Sequence, residues 1–382
     1  MELNLTDVIK LLVVFQATFF SIFLITIKNR KKPNYFIAFY LLLTAFNTAQ
    51  TFASDYLLEK LGNLYVLLIL TIFLIPPSVY FYIITSIDNT FRLTKKHLFH
   101  LSTFLIVSVL FILFQEQIKS IDIDSNVKLL YLNNVIFFIF YLQWAIYLLL
   151  AYKELKRYKN IYYQRFSNTD LKQFRYLNWL ISILALDLIF SGIKNYHLTN
   201  NIEGAIVDYA PSFVLLLTLI FFCWIIYKGL SFPELFIESQ KDLPKNNHEK
   251  SLTGNQKLKV LSSNSEIKSQ IEKIKSHMKN EKPYLDANFS ISDLSLQTEI
   301  PIRELSILIN HHLNKHFFDF VNEYRIEKAK ELLLSIDRKN HTILEILYEV
   351  GFNSKSSFNT AFKKQTQLTP TQYRRNNLKS AS

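Results

Sequence analysis

The sequence predicts an all-α fold in two parts: a seven-helix transmembrane bundle, followed by a smaller domain of short helices. Three observations carry this. Of 382 residues, 50% are hydrophobic and 15% aromatic, yet charged residues avoid long stretches before about residue 228 and crowd the chain after it. The apolar stretches before that point are each about 20 residues long, the length a helix needs to cross a bilayer. Beyond it, apolar residues recur at helical spacing, without the alternation expected of strands. The same composition excludes a disordered chain. A single cysteine, Cys223, excludes a disulfide scaffold and any centre built on several cysteines.

The membrane domain is read over residues 1–230, with spans at about 7–27, 34–53, 64–86, 97–114, 129–152, 176–193 and 207–228. Any one stretch is compatible with a soluble core helix, but seven in a row with little polar sequence between them are not. The loops give an independent test, because Lys and Arg gather on the cytoplasmic side. Loops one, three and five carry 14 of them, including Lys28, Arg92 and Lys153; loops two, four and six carry four, Lys60, Lys119, Lys128 and Lys194. This predicts a multi-pass protein of the inner (cytoplasmic) membrane, its N-terminus outside and its C-terminal domain cytoplasmic. The leader MELNLTD has no basic residue and no small-residue cleavage site follows before KNRKK, so the first span is read as retained. Trp179 and Trp224 fall near inner span ends, where amphipathic rings favour the interface.

Within the spans, Asp187 is the only deep carboxylate, and it is expected either to sense a signal or to tie helices together, with Asn47, Gln50 or Gln143 as partners. Pro76-Pro77 is expected to kink the third span, since proline removes a backbone donor and clashes with the preceding turn. His100 and His197 have no ligand-like spacing and are read as structural. From 231 to 264 the sequence turns polar (ESQKDLPKNNHEKSLTGNQ), a flexible cytoplasmic linker of mixed charge.

The segment 265–376 is read as a second domain, with 377–382 as a tail. A first helix over about 265–280 precedes Lys282-Pro283. Ser290 and Asp293 have capping-box spacing for a short helix ending near Glu299, and Pro301 permits a new helix. In that helix Leu305, Leu308 and Ile309 share one face, with Arg303, Ser306, Ile307 and Asn310 on the other. A long helix, FFDFVNEYRIEKAKELL, follows. Thr342 and Glu345 then form a second capping box before Ile343, Ile346, Leu347 and Val350. Gly351, the only glycine after residue 254, stands where that helix stops, a place for positive φ. Ser354 caps the next helix, which turns Phe358 and Phe362 inward and Ser356, Asn359, Thr360 and Lys363 outward. Helix, glycine turn and helix with a polar-basic outer face is a helix-turn-helix arrangement.

NEYRIEKAKELL followed by ILEILYEVGFNSKSSFNTAFKKQTQLTPTQYRR resembles the C-terminal signature of AraC-type (AraC/XylS) transcription regulators, over roughly 110 of the 382 residues. The resemblance implies a double helix-turn-helix domain: two units joined by a long helix, each placing one helix in the major groove of double-stranded DNA. It implies base contacts from Arg303, Ser306, Ile307 and Asn310 in the first unit and from Lys355, Ser356, Ser357 and Thr360 in the second. The chain departs from the pattern at Leu347, where a small residue is common, and at Asn314 and Gln367, where glycine is frequent.

Over 268–382 there are 18 Lys or Arg against 13 Asp or Glu, a modest excess that suits phosphates. Lys363, Lys364, Arg374 and Arg375 flank the second recognition helix as phosphate contacts. His312 and His316 have i, i+4 spacing but no third ligand, so no metal is expected. No phosphate-binding glycine loop, GxSxG or kinase motif occurs, and neither enzyme activity nor a cofactor is expected. The function expected is membrane-embedded transcription regulation coupled to a small-molecule, lipid or protein signal, with the bilayer and DNA as partners and a homodimer compatible with paired sites. The alternatives are a receptor or transporter with an autoregulatory DNA-binding tail, and a tail that docks proteins.

Overall fold

The computed structural model describes residues 4–28, 30–52, 54–88, 91–120, 125–167, 172–199, 204–231, 264–335 and 341–379. The chain is all-helical, and no strand occurs among the described residues beyond one isolated antiparallel bridge, Phe166 with Ser290. It divides into two compact units, one of residues 1–156 and 173–244, the other of 157–172 and 245–382. The linker expected over 231–264 lies almost wholly outside the described residues, as do the last three residues of the tail.

The first unit contains α1 (Leu5–Thr26), α2 (Pro33–Gln50), α3 (Ser54–Leu61), α4 (Asn63–Ile69), α5 (Ile75–Ile87), α6 (Ser102–Ser120), most of α7 (Ser125–Arg165), α8 (Lys172–Thr199) and α9 (Ala205–Ser231). Among the described residues, six helical segments are long and apolar enough to cross a membrane: Leu5–Thr26, Asn63–Ile87, Lys95–Phe114, Asn134–Arg165, Gln173–Leu198 and Tyr209–Ser231. The second expected span is not among them. It forms α2, but Asn34, Asn47 and Gln50 dilute a helix of only 18 residues. Half of α2 is buried: Ser21 Oγ of α1 donates to Ala38 O (3.0 Å), Phe36 packs on Phe81, and Asn47 Nδ2 donates to Thr71 Oγ1 (3.2 Å). An inward-facing helix needs fewer apolar residues than one surrounded by lipid.

Two further expectations change. Pro76-Pro77 does not bend a continuous helix. A 3-10 turn over Leu70–Leu74 interrupts the segment and α5 begins at Ile75, so the prolines occupy a first helical turn, where their missing donors cost nothing. Asp187 does not meet its expected partners. Asn47 serves Thr71 and Leu43 O, Gln143 donates to Phe73 O (3.1 Å), and Gln50 turns to neither. Asp187 Oδ1 is buried without a hydrogen-bond partner, and the charge nearest in effect is Lys194, two turns along α8. His100 instead pairs with Tyr147 Oη (2.7 Å), within a cluster of rings that includes Phe81 and Tyr80.

The unit's outer faces carry large apolar side chains, among them Phe15 (70% exposed), Phe19 (64%), Leu113 (60%), Phe138 (68%) and Leu149 (69%).

The second unit holds α10 (Asn264–Asn280), α11 (Ile291–Thr298), α12 (Ile302–Ile307), α13 (Phe317–Leu334), α14 (Ile343–Glu349), α15 (Lys355–Thr366) and α16 (Pro370–Lys379). It has two cores. One joins Ile274 and Met278 of α10 to Leu294, Leu305, Leu308 and Phe320; the other joins Ile326 and Ala329 to Ile346, Leu347, Phe358 and Phe362. α13 runs through both, so one helix fixes the two halves together.

Candidate nucleic-acid interface

The first half starts with a complete capping box. Asp293 N donates to Ser290 Oγ (3.4 Å), while Asp293 Oδ2 accepts from Ser290 N (2.8 Å) and from its hydroxyl (2.7 Å), so free donors at the helix start are satisfied. α11 ends at Glu299 in the left-handed region (φ 59°), and α12 follows Pro301. Leu305, Leu308 and Ile309 are fully buried, and this orients Arg303, Ser306, Ile307 and Asn310 away from the core. α12 then loosens into a π-turn over Leu308–His312, and Asn314 closes it at φ 53°. Arg303 is exposed, but Ser306, Ile307 and Asn310 are only half-exposed. Asn310 Nδ2 donates to Ser306 Oγ (3.0 Å), and Asn310 Oδ1 is buried without a partner.

The second half repeats the plan. Thr342 and Glu345 form a capping box in both directions, with Glu345 N to Thr342 Oγ1 (3.1 Å) and Thr342 N to Glu345 Oε2 (2.7 Å). The Thr342 backbone and hydroxyl donors hold the Glu345 carboxyl below its ordinary range. α14 stops at Val350, and Gly351 takes φ 89°. A Cβ there would lie 2.5 Å from Tyr284 O and 2.7 Å from Leu285 O. Gly351 therefore serves the turn twice, through its dihedral and through the close backbone approach of the loop before α11. Ser354 Oγ accepts from Ser357 N (3.2 Å) and starts α15. Phe358 and Phe362 are fully buried, so Lys355, Ser356 and Thr360 stand exposed, with Ser357 half-exposed. Thr360 donates its hydroxyl to Ser356 O (2.8 Å) and remains exposed.

The cations occupy distinct environments. Lys363 is exposed and lines a shallow depression with Asn359, Thr360, Lys364, Gln367 and Thr369. Lys364 Nζ pairs with Asp319 Oδ1 of α13 (2.6 Å), yet its side chain remains 70% exposed. Arg375 is exposed, whereas Arg374 turns inward: Nη1 donates to His341 O (2.8 Å), Nε and Nη2 are buried, and desolvation lowers its pKa. Ser306, Asn310 and Lys364 border one concavity between the two halves. Leu347 is fully buried and Gln367 takes φ 61°, so the larger residue is accommodated in the core and the glycine-favoring position keeps its left-handed backbone. His312 lies in the π-turn and His316 at the N-cap of α13. No group of three potential metal ligands occurs among the described residues.

The sequence reading passed over Arg325 and Ser167. Arg325 is fully buried and donates Nε to Tyr284 O (2.7 Å), Nη2 to Asp286 O (2.8 Å) and to Ser167 Oγ (3.0 Å), and Nη1 to Ser167 O (3.0 Å). Burial pulls the guanidinium down to about 9, with Asp286 opposing, so it stays charged at neutral pH. One signal for Arg325 was available, since it interrupts the inward stripe Val321, Arg325, Ala329 at i, i+4 spacing. Ser167, 158 residues away, offers no local signal.

Residues 294–376 match the family described as a helix-turn-helix domain. The chain is 44% identical over 62 residues to an uncharacterized HTH-type transcriptional regulator in the cgkA 5' region of Pseudoalteromonas carrageenovora, covering 16% of this chain and 34% of that protein. It is 30% identical over 113 residues to the uncharacterized HTH-type transcriptional regulator YdeC of Bacillus subtilis, covering 28% and 38%. Among solved structures, the C-terminal domain of the two-component response regulator yesN from Fusobacterium nucleatum matches with 36% identity, over 28% of this chain and 98% of that one, at a TM-score of 0.25. The chain spans about a third of the length of these two curated relatives. Its C-terminal region carries a helix-turn-helix domain of the kind found in HTH-type transcriptional regulators. The family match, residues 294–376, does not reach the apolar N-terminal helices.

Proposed function

We propose that this chain is a membrane-embedded, sequence-specific transcription regulator that couples a membrane or extracellular cue to gene expression. The observation that carries the DNA reading is α15. Two fully buried phenylalanines fix its inner face, and this presents Lys355, Ser356 and Thr360 to solvent beside Lys363. Hydroxyl groups and a threonine methyl suit base edges, and flanking cations suit phosphates. Lys364 exchanges Asp319 for a phosphate on binding, and Arg375 adds a second contact. The membrane reading is supported by six apolar helical segments and their exposed apolar faces. Seven crossings, the six apolar segments together with the inward-facing α2, and the excess of basic residues in loops one, three and five support a DNA-binding domain on the cytoplasmic side with the N-terminus outside. Asp187, whose Oδ1 is buried without a hydrogen-bond partner, is the group in the spans best placed to respond to a bound signal. A homodimer would present two such domains to paired sites.

The test uses the full chain in lipid nanodiscs and duplexes it enriches from a random pool. Replacing Lys363 and Lys364 together by Ala should weaken binding to all sequences alike and lower the salt slope by about two. Thr360→Ala should instead relax preference at one position, by about 1–3 kcal/mol against the wrong base. Equal effects of both changes on every sequence, or a salt slope near zero in the unaltered chain, would sink the reading.

A further inference from the structure

The second unit is not made of C-terminal residues alone. It includes residues 157–172, whose described part is the last turns of α7 with Phe166 and Ser167. Phe166 forms the antiparallel bridge to Ser290, and Ser167 N donates to Phe289 O (3.2 Å). The Ser167 hydroxyl also donates to Phe289 O and accepts from Arg325 Nη2, while Ser167 O accepts from Arg325 Nη1. Ser167 is fully buried by these bonds. One turn earlier, the Tyr163 and Phe318 rings lie 5.0 Å apart, and Gln164 lines the same concavity as Ser306, Asn310 and Lys364.

We propose that the end of α7 is an autoinhibitory latch on the first helix-turn-helix: Ser167 anchors it on Arg325, and Tyr163 with Gln164 obstructs the face that would meet DNA. This rests on the reading of Ser306 and Asn310 as base-facing. An asparagine reads adenine through both its amide nitrogen and its oxygen. Here Nδ2 is spent on Ser306 and Oδ1 is enclosed, so neither reaches a base while Gln164 borders the concavity. The second recognition helix carries no such obstruction: Lys355, Ser356 and Thr360 are open. The anchor is specific, because a buried guanidinium deprived of two acceptors is costly. The obstruction is a single ring contact and a polar side chain, which is weaker. Release needs only the Tyr163–Phe318 ring contact and Gln164 to part from the first half, with no helix of that half unfolding.

Anchor and obstruction separate by mutation in the full chain in nanodiscs. Tyr163→Ala combined with Gln164→Ala should tighten binding to an enriched duplex roughly tenfold, within the usual range of intramolecular coupling, and should keep the Ser167 amide protected from hydrogen exchange. Ser167→Gly should tighten binding too, with faster exchange at residues 166–167. Unchanged or weaker affinity in the Tyr163/Gln164 variant overturns the latch, as does a freely exchanging Ser167 amide in the unaltered chain. Adding Asn310→Ala to that variant should change sequence preference. If it does not, while Thr360→Ala does, the first unit reads no base and the latch blocks nothing, although the DNA reading of the second unit stands. A chain that binds no duplex in any of these forms overturns the DNA reading and the latch together.

Discussion

The two helix-turn-helix halves of the second unit share a plan and differ in what surrounds it. Each opens on a reciprocal capping box, Ser290–Asp293 or Thr342–Glu345, and each turns one apolar face into its own core. The second half solves its turn with glycine at φ 89° and runs α15 unbroken through 12 residues. The first uses Glu299 and Asn314 at positive φ, and its α12 passes into a π-turn after six residues. Its outer face is half-covered and its asparagine bonded internally, where the second half's outer face is open. Similar sequence architecture thus yields one half ready for a ligand and one engaged with its own chain. The residue tying them is Arg325, which bonds the loop before α11 and lies over the Phe352 ring of the second core (5.5 Å).

The largest effect should come from removing that tie. Arg325→Met keeps much of the volume but leaves Tyr284 O, Asp286 O and Ser167 O without their donor. We expect a loss on the order of 3–5 kcal/mol in the second unit, since buried acceptors left without a donor cost about 1–3 kcal/mol each. Hydrogen exchange across both α11 and α15 should rise together. A rise confined to α11 would show that the halves are independently stable and that Arg325 serves only the first.

A change at Gly351 should separate the halves instead. Gly351→Ala adds a Cβ within 3 Å of two backbone oxygens at a dihedral that disfavours alanine. Its cost, about 1–3 kcal/mol for the strain alone, should fall first on α14 and α15. A change after the outer helix of the first half, at the position matching Gln367, runs the other way: Asn314→Gly relieves a positive φ and should be neutral or stabilising by roughly 0.5–1 kcal/mol. Unfolding monitored by exchange would check both. Equal destabilisation by the two changes would mean that the π-turn depends on the Asn314 side chain rather than on its backbone.

Much of this was legible in the residues, and the pattern of success has a physical cause. Local signals held where the deciding interactions are local. The caps at Ser290, Thr342 and Ser354, the stop at Gly351 and the inward pair Phe358 and Phe362 all act within a turn or two of their own position. The helices of the first unit were legible as apolar lengths, but α2 was read as equal to its neighbours although its own Asn34, Asn47 and Gln50 dilute it, because the partner of such a residue, Thr71 for Asn47, lies far along the chain. The prolines were read as an interior kink, since nothing nearby announces the 3-10 turn over Leu70–Leu74 that precedes them. Arg374 could be placed beside α15 but not turned inward, because the carbonyl that takes it, His341 O, lies 33 residues away. Ser167 is the extreme case: its partners at Phe289 and Arg325 are more than a hundred residues distant, and no periodicity or cap reports a contact of that range.

The smallest expected effect concerns the caps, where the halves look most alike. Glu345 accepts from both the backbone and the hydroxyl of Thr342, and its carboxyl is held low for that reason. A folded-state pKa below the unfolded value gives stability that is complete above the unfolded value and is lost as pH falls through the folded one. Acidification into the range where ordinary carboxylates take up protons should therefore loosen the first turn of α14, seen as faster exchange at Ile346 and its neighbours after correction for intrinsic rates. Glu345→Gln should flatten this pH dependence, while Thr342→Ala should cost about 1 kcal/mol at neutral pH, the usual worth of an N-cap. If the first turn of α14 frays with acid just as steeply in the Glu345→Gln chain, the cap is not what senses the proton. The second half would then owe its start to Ile346 and Leu347 in the core rather than to the Thr342–Glu345 exchange.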